Sequence, residues 1–148
     1  MQEQGLETIV TDDWEKEDLN QFSHIGVSIM TPQRYLAREF LRRAKEINPN
    51  AVLIAGGPHA KYYYEETSRD GWDFVVTDHG ERALPRIVKG EIKDKTIKDF
   101  LTRKELDAMP RPDRLGVKDY LKGYNYILRG RDSTTMLTAR GCPEQCTF

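Results

Sequence analysis

Two cysteine thiols near the end of the sequence are the residues best suited to chemistry. Cys142 and Cys146 lie in "TARGCPEQCTF", three residues apart, directly after a predicted strand. Thiolates bind zinc and iron, and a pair of thiols can also form a disulfide. A disulfide is not expected, because the first ten residues show no export signal. A zinc site needs further ligands, and His24, His59 and His79 fall on other predicted elements. A metal site and two ordinary loop cysteines both remain open interpretations.

The elements that must position these residues alternate between strand and helix. Apolar runs bounded by polar residues predict strands at 7–11, 24–30, 51–55 and 73–77. Caps, prolines and helical periodicity predict helices at 31–47, 60–69 and 82–88. In the first of these helices, Leu36, Phe40, Ala44 and Ile47 recur at helical spacing and are expected to form its buried face. Repeated strand–loop–helix order is typical of a parallel sheet.

The predicted fold class is therefore α/β, a Rossmann-like (flavodoxin-like) parallel sheet with helices on both faces. Gly5 reads as the end of a helix, and no strand precedes that helix, so the sheet is expected to lack its first strand. Beyond Gly90 the sequence is charged and contains Pro110 and Pro112, which indicates an irregular linker with a short helix at 102–108. One further strand is expected at 134–139.

Composition narrows the class of protein. The 148 residues carry 23 basic and 24 acidic side chains, a net charge of −1 that argues against a nucleic-acid partner. No apolar run approaches the roughly 20 residues of a membrane span, and the start of the sequence does not resemble a signal peptide. A cytoplasmic protein is expected.

The tail resembles the cluster loop of radical SAM enzymes, Cys-x-x-x-Cys-x-aromatic-Cys. Cys142, Cys146 and Phe148 fill its first three marked positions, and the third cysteine is expected directly after Phe148. The resemblance implies that Cys142 and Cys146 are two of three thiolate ligands of a 4Fe–4S cluster. It also implies S-adenosylmethionine as the second cofactor of the parent enzyme.

The rest of the chain resembles the B12-binding (cobalamin-binding) domain that precedes many radical SAM barrels. The segments that carry this resemblance are "IGVSIMT", "NPNAVLIAGGPHA" and "DFVVTDHGERALPRIVKGE", followed by "ELDAMPRPDR" in the linker. It implies three parts: a cobalamin-binding domain at 1–92, a linker at 93–132 and the start of a radical SAM domain at 133–148. The implied cofactor of the front domain is cobalamin, and the implied partner is the remainder of the same polypeptide. No catalytic residue is expected within this chain.

The resemblance also implies where the front domain holds its cofactor. In open parallel sheets, ligands bind outside the carboxyl ends of the strands. The candidate cofactor-binding residues follow three predicted strands: Ser28, Thr31, Gly56, Gly57, His59, Thr77, Gly80 and Glu81. Glycines there allow close approach of a large flat ligand, and hydroxyls can bond its amides or phosphate. Asp78 and His79 depart from the family's usual Gly-Glu-Gly-Glu at the fourth strand.

Each of these residues also has a purely structural interpretation. Gly56 and Gly57 suit a tight turn, Ser28 can bond its own backbone, and His59 can cap a helix or face solvent.

Two other kinds of protein also fit the pattern in part. A stand-alone, non-enzymatic flavodoxin-like module that binds a cofactor or protein is the main alternative. A nucleotide-dependent Rossmann enzyme is disfavoured, because Gly-x-Gly-x-x-Gly and Walker motifs are absent from the sequence.

Overall fold

The computed structural model describes residues 5–111, 139–140 and 146–147. The chain divides into two compact units, and the first includes Asp12–Pro110. The second comprises Ile9–Thr11 and Arg111–Phe148 and falls largely outside the described residues. All but the last residue of the predicted strand at 134–139 lies outside them too, as does Cys142.

The first unit is built on a four-stranded parallel sheet. Its strands are β1 His24–Ser28, β2 Val52–Gly56, β3 Phe74–Val76 and β4 Thr96–Ile97. Their order in the sheet is β1-β2-β3-β4, so each strand pairs with the next strand in the chain. Gly26 lies opposite Ile54, and Val75 lies opposite Thr96. The parallel sheet predicted from the sequence is confirmed.

The described residues of this unit form five α-helices. They are α1 Arg34–Ile47, α2 Gly57–Tyr62, α3 Tyr64–Arg69, α4 Gly80–Val88 and α5 Arg103–Asp107. A 3-10 turn at Thr31–Gln33, with proline in its first turn, leads into α1. The single helix predicted at 60–69 is two helices, because the backbone of Tyr63 leaves the helical region (φ −124°, ψ 41°).

Helices cover both faces of the sheet, as predicted. On one face, α1 packs against Leu53 and Ala55 of β2 and Val75 of β3. On the same face, Ser68 of α3 is hydrogen-bonded to Thr96 of β4. On the other face, α4 packs against Ile54, Val76 and Ile97. Successive side chains of β2 and β3 point to opposite faces of the sheet. Because helices cover both faces, both strands are almost wholly apolar.

The buried face of α1 differs from the predicted one. Ala37, Phe40, Leu41 and Ala44 are buried, whereas Leu36 is 72% exposed and Ile47 is 43% exposed. A spacing of four residues overshoots the 3.6-residue turn, so the set drifts about 40° around the helix at each step. Leu36 therefore falls at the edge of the stripe that the pattern i, i+3, i+4, i+7 keeps centred on the sheet.

Two further differences concern strands. Residues 6–11 form neither helix nor strand, and Ile9 and Val10 are more than half exposed. The predicted strand at 7–11 is therefore wrong in the described structure, since a short apolar run becomes a strand only where a neighbour pairs with it. Conversely, β4 was not predicted, because its two residues lie in a charged segment without apolar alternation.

Candidate functional site

The carboxyl ends of β1 and β2 meet in a tightly packed turn around Gly57. The backbone N–H of Ile29 donates to the Gly56 carbonyl (2.8 Å), and the backbone N–H of His59 donates to the Ile29 carbonyl (2.9 Å). Gly57 has a φ of +86°, and a Cβ atom there would lie 2.7 Å from Ser28 Oγ and 2.8 Å from Ile29 N. Only glycine fits this position. Its absence of a side chain thus serves packing within the protein.

His59 is buried at the start of α2, with 2% of its surface exposed. Neither ring nitrogen has a hydrogen-bond partner in the described structure. The Tyr63 ring, one helical turn later, stacks on the imidazole at a centroid distance of 5.0 Å. The interpretation of His59 as a solvent-facing or capping residue is therefore wrong, because its ring is buried and caps no helix end.

At the end of β3, the polar groups are bonded within the protein. The Thr77 hydroxyl lies 2.9 Å from Asp78 Oδ2 and 3.2 Å from the Ile97 carbonyl, and it can donate to either. The Asp78 side chain is 5% exposed and lies 3.7 Å from Lys61 Nζ of α2. These contacts join the loop after β3 to α2 and β4.

An arginine clamp joins α4 to the segment that follows β4. Arg82 Nε donates to both carboxylate oxygens of Asp99 at 3.0 Å, and its Nη2 also donates to this carboxylate. Arg82 Nη1 donates to Glu105 at 2.6 Å, and Nη2 reaches the Phe100 carbonyl at 3.3 Å. Glu105 closes a capping box with Thr102 at the start of α5. The clamp fixes α5 beside the carboxyl end of the sheet.

His79 reinforces this connection from the end of β3. The backbone N–H of His79 donates to the Asp99 carbonyl (3.1 Å), and its ring Nδ1 accepts a hydrogen bond from the backbone N–H of Leu101 (2.8 Å). The Phe100 ring packs edge-on against the imidazole. The histidine that departs from the resembled family pattern at this turn thus binds the segment that follows β4.

We expect the Arg82–Asp99 pair to make stability depend on pH in the acid range. Hydrogen bonds from Arg82, and then its charge, lower the pKa of Asp99. Because this pKa is lower in the folded chain, ionised Asp99 stabilises the fold above about pH 4, the unfolded value. That contribution is lost as pH falls through the folded-state pKa.

Urea unfolding at pH 6, 4 and 3 measures this effect. Asp99→Asn should unfold at lower urea than the unchanged chain at pH 6, and the gap should narrow towards pH 3. Asp94→Asn, a change at an exposed carboxylate of the same segment, is the control. A gap that stays constant with pH for Asp99→Asn would contradict the assignment.

The predicted site residues fall into two groups in the structure. Direct contacts bring four together at the ends of β1 and β2: Ser28, Gly56, Gly57 and His59. The others lie along neighbouring elements: Thr31 opens the 3-10 turn before α1, Thr77 follows β3, and Gly80 and Glu81 open α4. Sequence reasoning missed Asp99 and Arg82, although Thr102-x-x-Glu105 is a readable helix-start signal.

Exposed apolar side chains surround this part of the molecule. Met30 (50% exposed) follows β1, Tyr62 (73%) and Tyr63 (50%) end α2, and Phe100 (64%) follows β4. Large apolar groups in solvent at the ligand-binding end of a sheet are typical of a surface that a partner or ligand covers.

The cysteine site is described only at Cys146, which is a free, exposed thiol. Within residues 5–111, 139–140 and 146–147, no three or more His, Cys, Asp or Glu side chains are grouped so as to hold a metal ion. Across the same residues, no helix combines the length and apolarity that a membrane crossing requires.

Comparison with known proteins identifies relatives of this chain. Over 139 residues the chain is 30% identical to the uncharacterized methyltransferase PH0819 of Pyrococcus horikoshii, covering 84% of this chain and 30% of the relative. It is 28% identical to the anaerobic magnesium-protoporphyrin IX monomethyl ester cyclase of Cereibacter sphaeroides, covering 84% and 23%. The chain thus spans less than a third of the length of these relatives.

A solved structure and a family model agree with this fold. The N-terminal domain of hypothetical protein TM0182 from Thermotoga maritima superposes with a TM-score of 0.51 at 27% identity, covering 64% of this chain and 79% of that domain. The model of the B12 binding domain matches residues 6–88, more than half of the chain. That match includes β1 to β3 and the whole of the Gly57 turn. The chain belongs to the B12-binding domain family.

Proposed function

We propose that this chain binds cobalamin at the carboxyl end of its sheet and forms the front part of a radical SAM enzyme. The observation that carries the first half is the B12-binding domain match over 6–88, which contains the cluster of Ser28, Gly57 and His59. The second half is supported by the Cys142-x-x-x-Cys146-x-Phe148 pattern and by the relatives.

The residues at this end suit the chemistry of a corrinoid. The buried His59 ring offers two unpartnered nitrogens, and a corrin carries amide arms that form hydrogen bonds. Ser28, Gly56 and Gly57 place a hydroxyl and backbone groups at the same corner of the sheet. When bound, cobalamin supplies a cobalt centre that carries a methyl group in methyl-transfer chemistry. The chain's own residues bind and orient it.

The exposed apolar residues complete the argument for a large ligand. Met30 follows β1, Tyr62 and Tyr63 end α2, and Phe100 follows β4, so these four residues offer exposed apolar surface on loops and helix ends around the carboxyl end of the sheet. The flat corrin ring has apolar edges between its amide arms, so its burial would remove both kinds of surface from water.

Titration with hydroxocobalamin, followed by its visible spectrum, tests this binding. We expect a saturable change with one cobalamin per chain. Phe100→Ser should weaken binding about fivefold, because it removes apolar contact area at the ligand edge. Ile47→Ser is the matched control, since Ile47 is 43% exposed at the opposite, amino end of the sheet. An unsaturable titration of the unchanged chain would refute cobalamin binding.

The radical SAM half of the proposal concerns the segment after the sheet. The two relatives match 84% of this chain, more than the family model's 6–88, so their similarity extends beyond the B12-binding domain. Their names describe a methyltransferase and a ring-forming cyclase. Methyl transfer and ring formation are both reactions that a 5′-deoxyadenosyl radical can start. A 4Fe–4S cluster and S-adenosylmethionine are the cofactors required.

The domain division 1–92, 93–132 and 133–148 belongs to the same proposal. The third thiolate and the barrel are supplied by the remainder of the same polypeptide, which is the proposed partner of this chain. Part of the linker, including α5, lies in the first compact unit and is bound there by the Arg82 clamp.

The coding sequence beyond Phe148 tests the radical SAM assignment directly. We expect a cysteine codon next, followed by about six more strand–helix units of a barrel. Such a barrel alternates strand and helix in the way this chain does. A stop codon at this position would instead favour a stand-alone cofactor-binding module, and any other residue there would break the cluster motif.

A further inference from the structure

His59 holds two of the three buried side-chain nitrogen and oxygen atoms that lack a partner among the described residues. The third is the Trp72 indole nitrogen, just before the amino end of β3. We propose that the His59 imidazole is the hydrogen-bonding anchor for an amide arm of the corrin ring. This inference rests on the proposed binding of cobalamin and names the residue and the part of the cofactor that it contacts.

The burial of His59 makes an unpaired imidazole energetically unfavourable. The residue is 2% exposed, and both Nδ1 and Nε2 lie away from water without a hydrogen bond. Leaving a buried polar group unpaired costs roughly 1–3 kcal/mol. A structural histidine would pair with a neighbouring carbonyl or carboxylate, yet Asp78, the nearly buried carboxylate at this end, is bonded by Thr77 and lies near Lys61 instead.

The ring is also placed where a ligand group can reach it. The backbone N–H of His59 donates to the Ile29 carbonyl after β1, so the residue is fixed at the corner between the ends of β1 and β2. Its cover is the Tyr63 ring, which stacks on it at 5.0 Å and is itself half exposed. Binding of a ligand group at the imidazole requires the Tyr63 ring to turn aside, and Tyr63 is half exposed, so solvent lies beside it.

The depth of His59 favours an arm of the cofactor over the cobalt ion. Cobalt lies at the centre of a rigid macrocycle, and that ring is too wide to approach a buried nitrogen of a residue that is 2% exposed. An amide arm is slender and flexible enough to enter beside Tyr63. A neutral imidazole has one donor and one acceptor nitrogen, and an amide both donates and accepts. An amide can therefore pair with whichever nitrogen faces it.

Paired histidine variants test the anchor by titration with hydroxocobalamin and with cobinamide, which keeps the corrin amides but lacks the nucleotide tail. His59→Phe preserves an aromatic ring for Tyr63 and removes both nitrogens. We expect its dissociation constant to rise about tenfold for both corrinoids, the loss of one hydrogen bond. His24→Phe is the control, because His24 lies at the amino end of β1, and it should change binding less than about twofold.

Each outcome decides the assignment. Equal affinity of His59→Phe and the unchanged chain would overturn it, as would an effect seen with hydroxocobalamin but not with cobinamide, which would place the contact on the tail. A nitrogen-superhyperfine signal from Co(II) that His59→Phe removes would show cobalt ligation and also overturn it. Failure of the unchanged chain to bind either corrinoid would refute the proposed function itself.

A second measurement does not depend on how well the variant folds. In the unchanged chain labelled with nitrogen-15, the ring nitrogens of His59 should shift on addition of hydroxocobalamin, while those of His24 stay in place. Formation of a hydrogen bond to one nitrogen selects a single tautomer, which the two nitrogen shifts report. Unchanged His59 shifts in a saturated complex would contradict the anchor.

Discussion

Gly57→Ala is expected to destabilise the folded chain by about 3 kcal/mol. The new Cβ would lie 2.7 Å from Ser28 Oγ, 2.8 Å from Ile29 N and 3.0 Å from Ile29 O. Two of these atoms belong to the backbone, so the turn must shift rather than a side chain rotate. The shift would strain both hydrogen bonds of Ile29, and the φ of +86° adds its own penalty for any residue with a side chain.

Gly90→Ala is the matched control for this prediction. Gly90 also has a positive φ, +71°, but a Cβ atom there would meet nothing within 4 Å. Its substitution should cost only the backbone strain, about 1 kcal/mol. Urea unfolding followed by far-ultraviolet circular dichroism compares the two variants. Equal losses would show that the close contacts of Gly57 relax freely and would contradict the steric argument.

Trp72→Ala is expected to cause the largest loss in the core, roughly 3–5 kcal/mol. Trp72 is 1% exposed and is the largest fully buried side chain among the described residues, where it belongs to the same core cluster as Leu53, Val75 and the buried face of α1. Removing the indole leaves a cavity that the surrounding sheet cannot fill. Single domains have a free energy of unfolding of only about 5–15 kcal/mol. The midpoint temperature of unfolding should therefore be much lower for the variant than for the unchanged chain.

Two further variants separate the causes. Trp72→Phe should retain most of the stability, because a ring still fills the site and the indole N–H, which has no partner, is removed. Trp14→Ala tests the other tryptophan, which is half-buried and meets Phe40 edge-on at 5.1 Å, and its loss should be smaller. Thermal unfolding of the three variants measures this order. A Trp14→Ala loss equal to that of Trp72→Ala would contradict it.

The local elements could be predicted where apolar runs and helix signals coincide. The strands at 24–30, 51–55 and 73–77 contain or overlap β1, β2 and β3, and α1 ends at Ile47 as expected. The strand β4 could not be predicted, because it is defined by backbone bonds from Val75 N to Lys95 O and from Thr77 N to Ile97 O. Such bonds leave no trace in side-chain pattern.

The candidate site shows the same division between local and distant information. That Gly57 and His59 lie at the carboxyl end of a strand follows from their position after "AVLIA". That His59 is buried without a partner depends on Ile29 and Tyr63, and no local pattern indicates it. The Arg82–Asp99 pair joins residues 17 positions apart, a separation at which charge pairing cannot be deduced from sequence.

The consecutive strand order has a consequence for how this chain is made. Each of β2, β3 and β4 pairs with the strand of the described sheet synthesised immediately before it, and none is inserted between two earlier ones. A growing chain can therefore add each strand to a sheet that is already present, paying only for the closure of one short crossover at a time. Assembly from the amino end, as the polypeptide leaves the ribosome, is the natural route to this sheet. The corner at the carboxyl ends of β1 and β2, with Gly57 and His59, is then formed before β3, β4 and the Arg82 clamp exist.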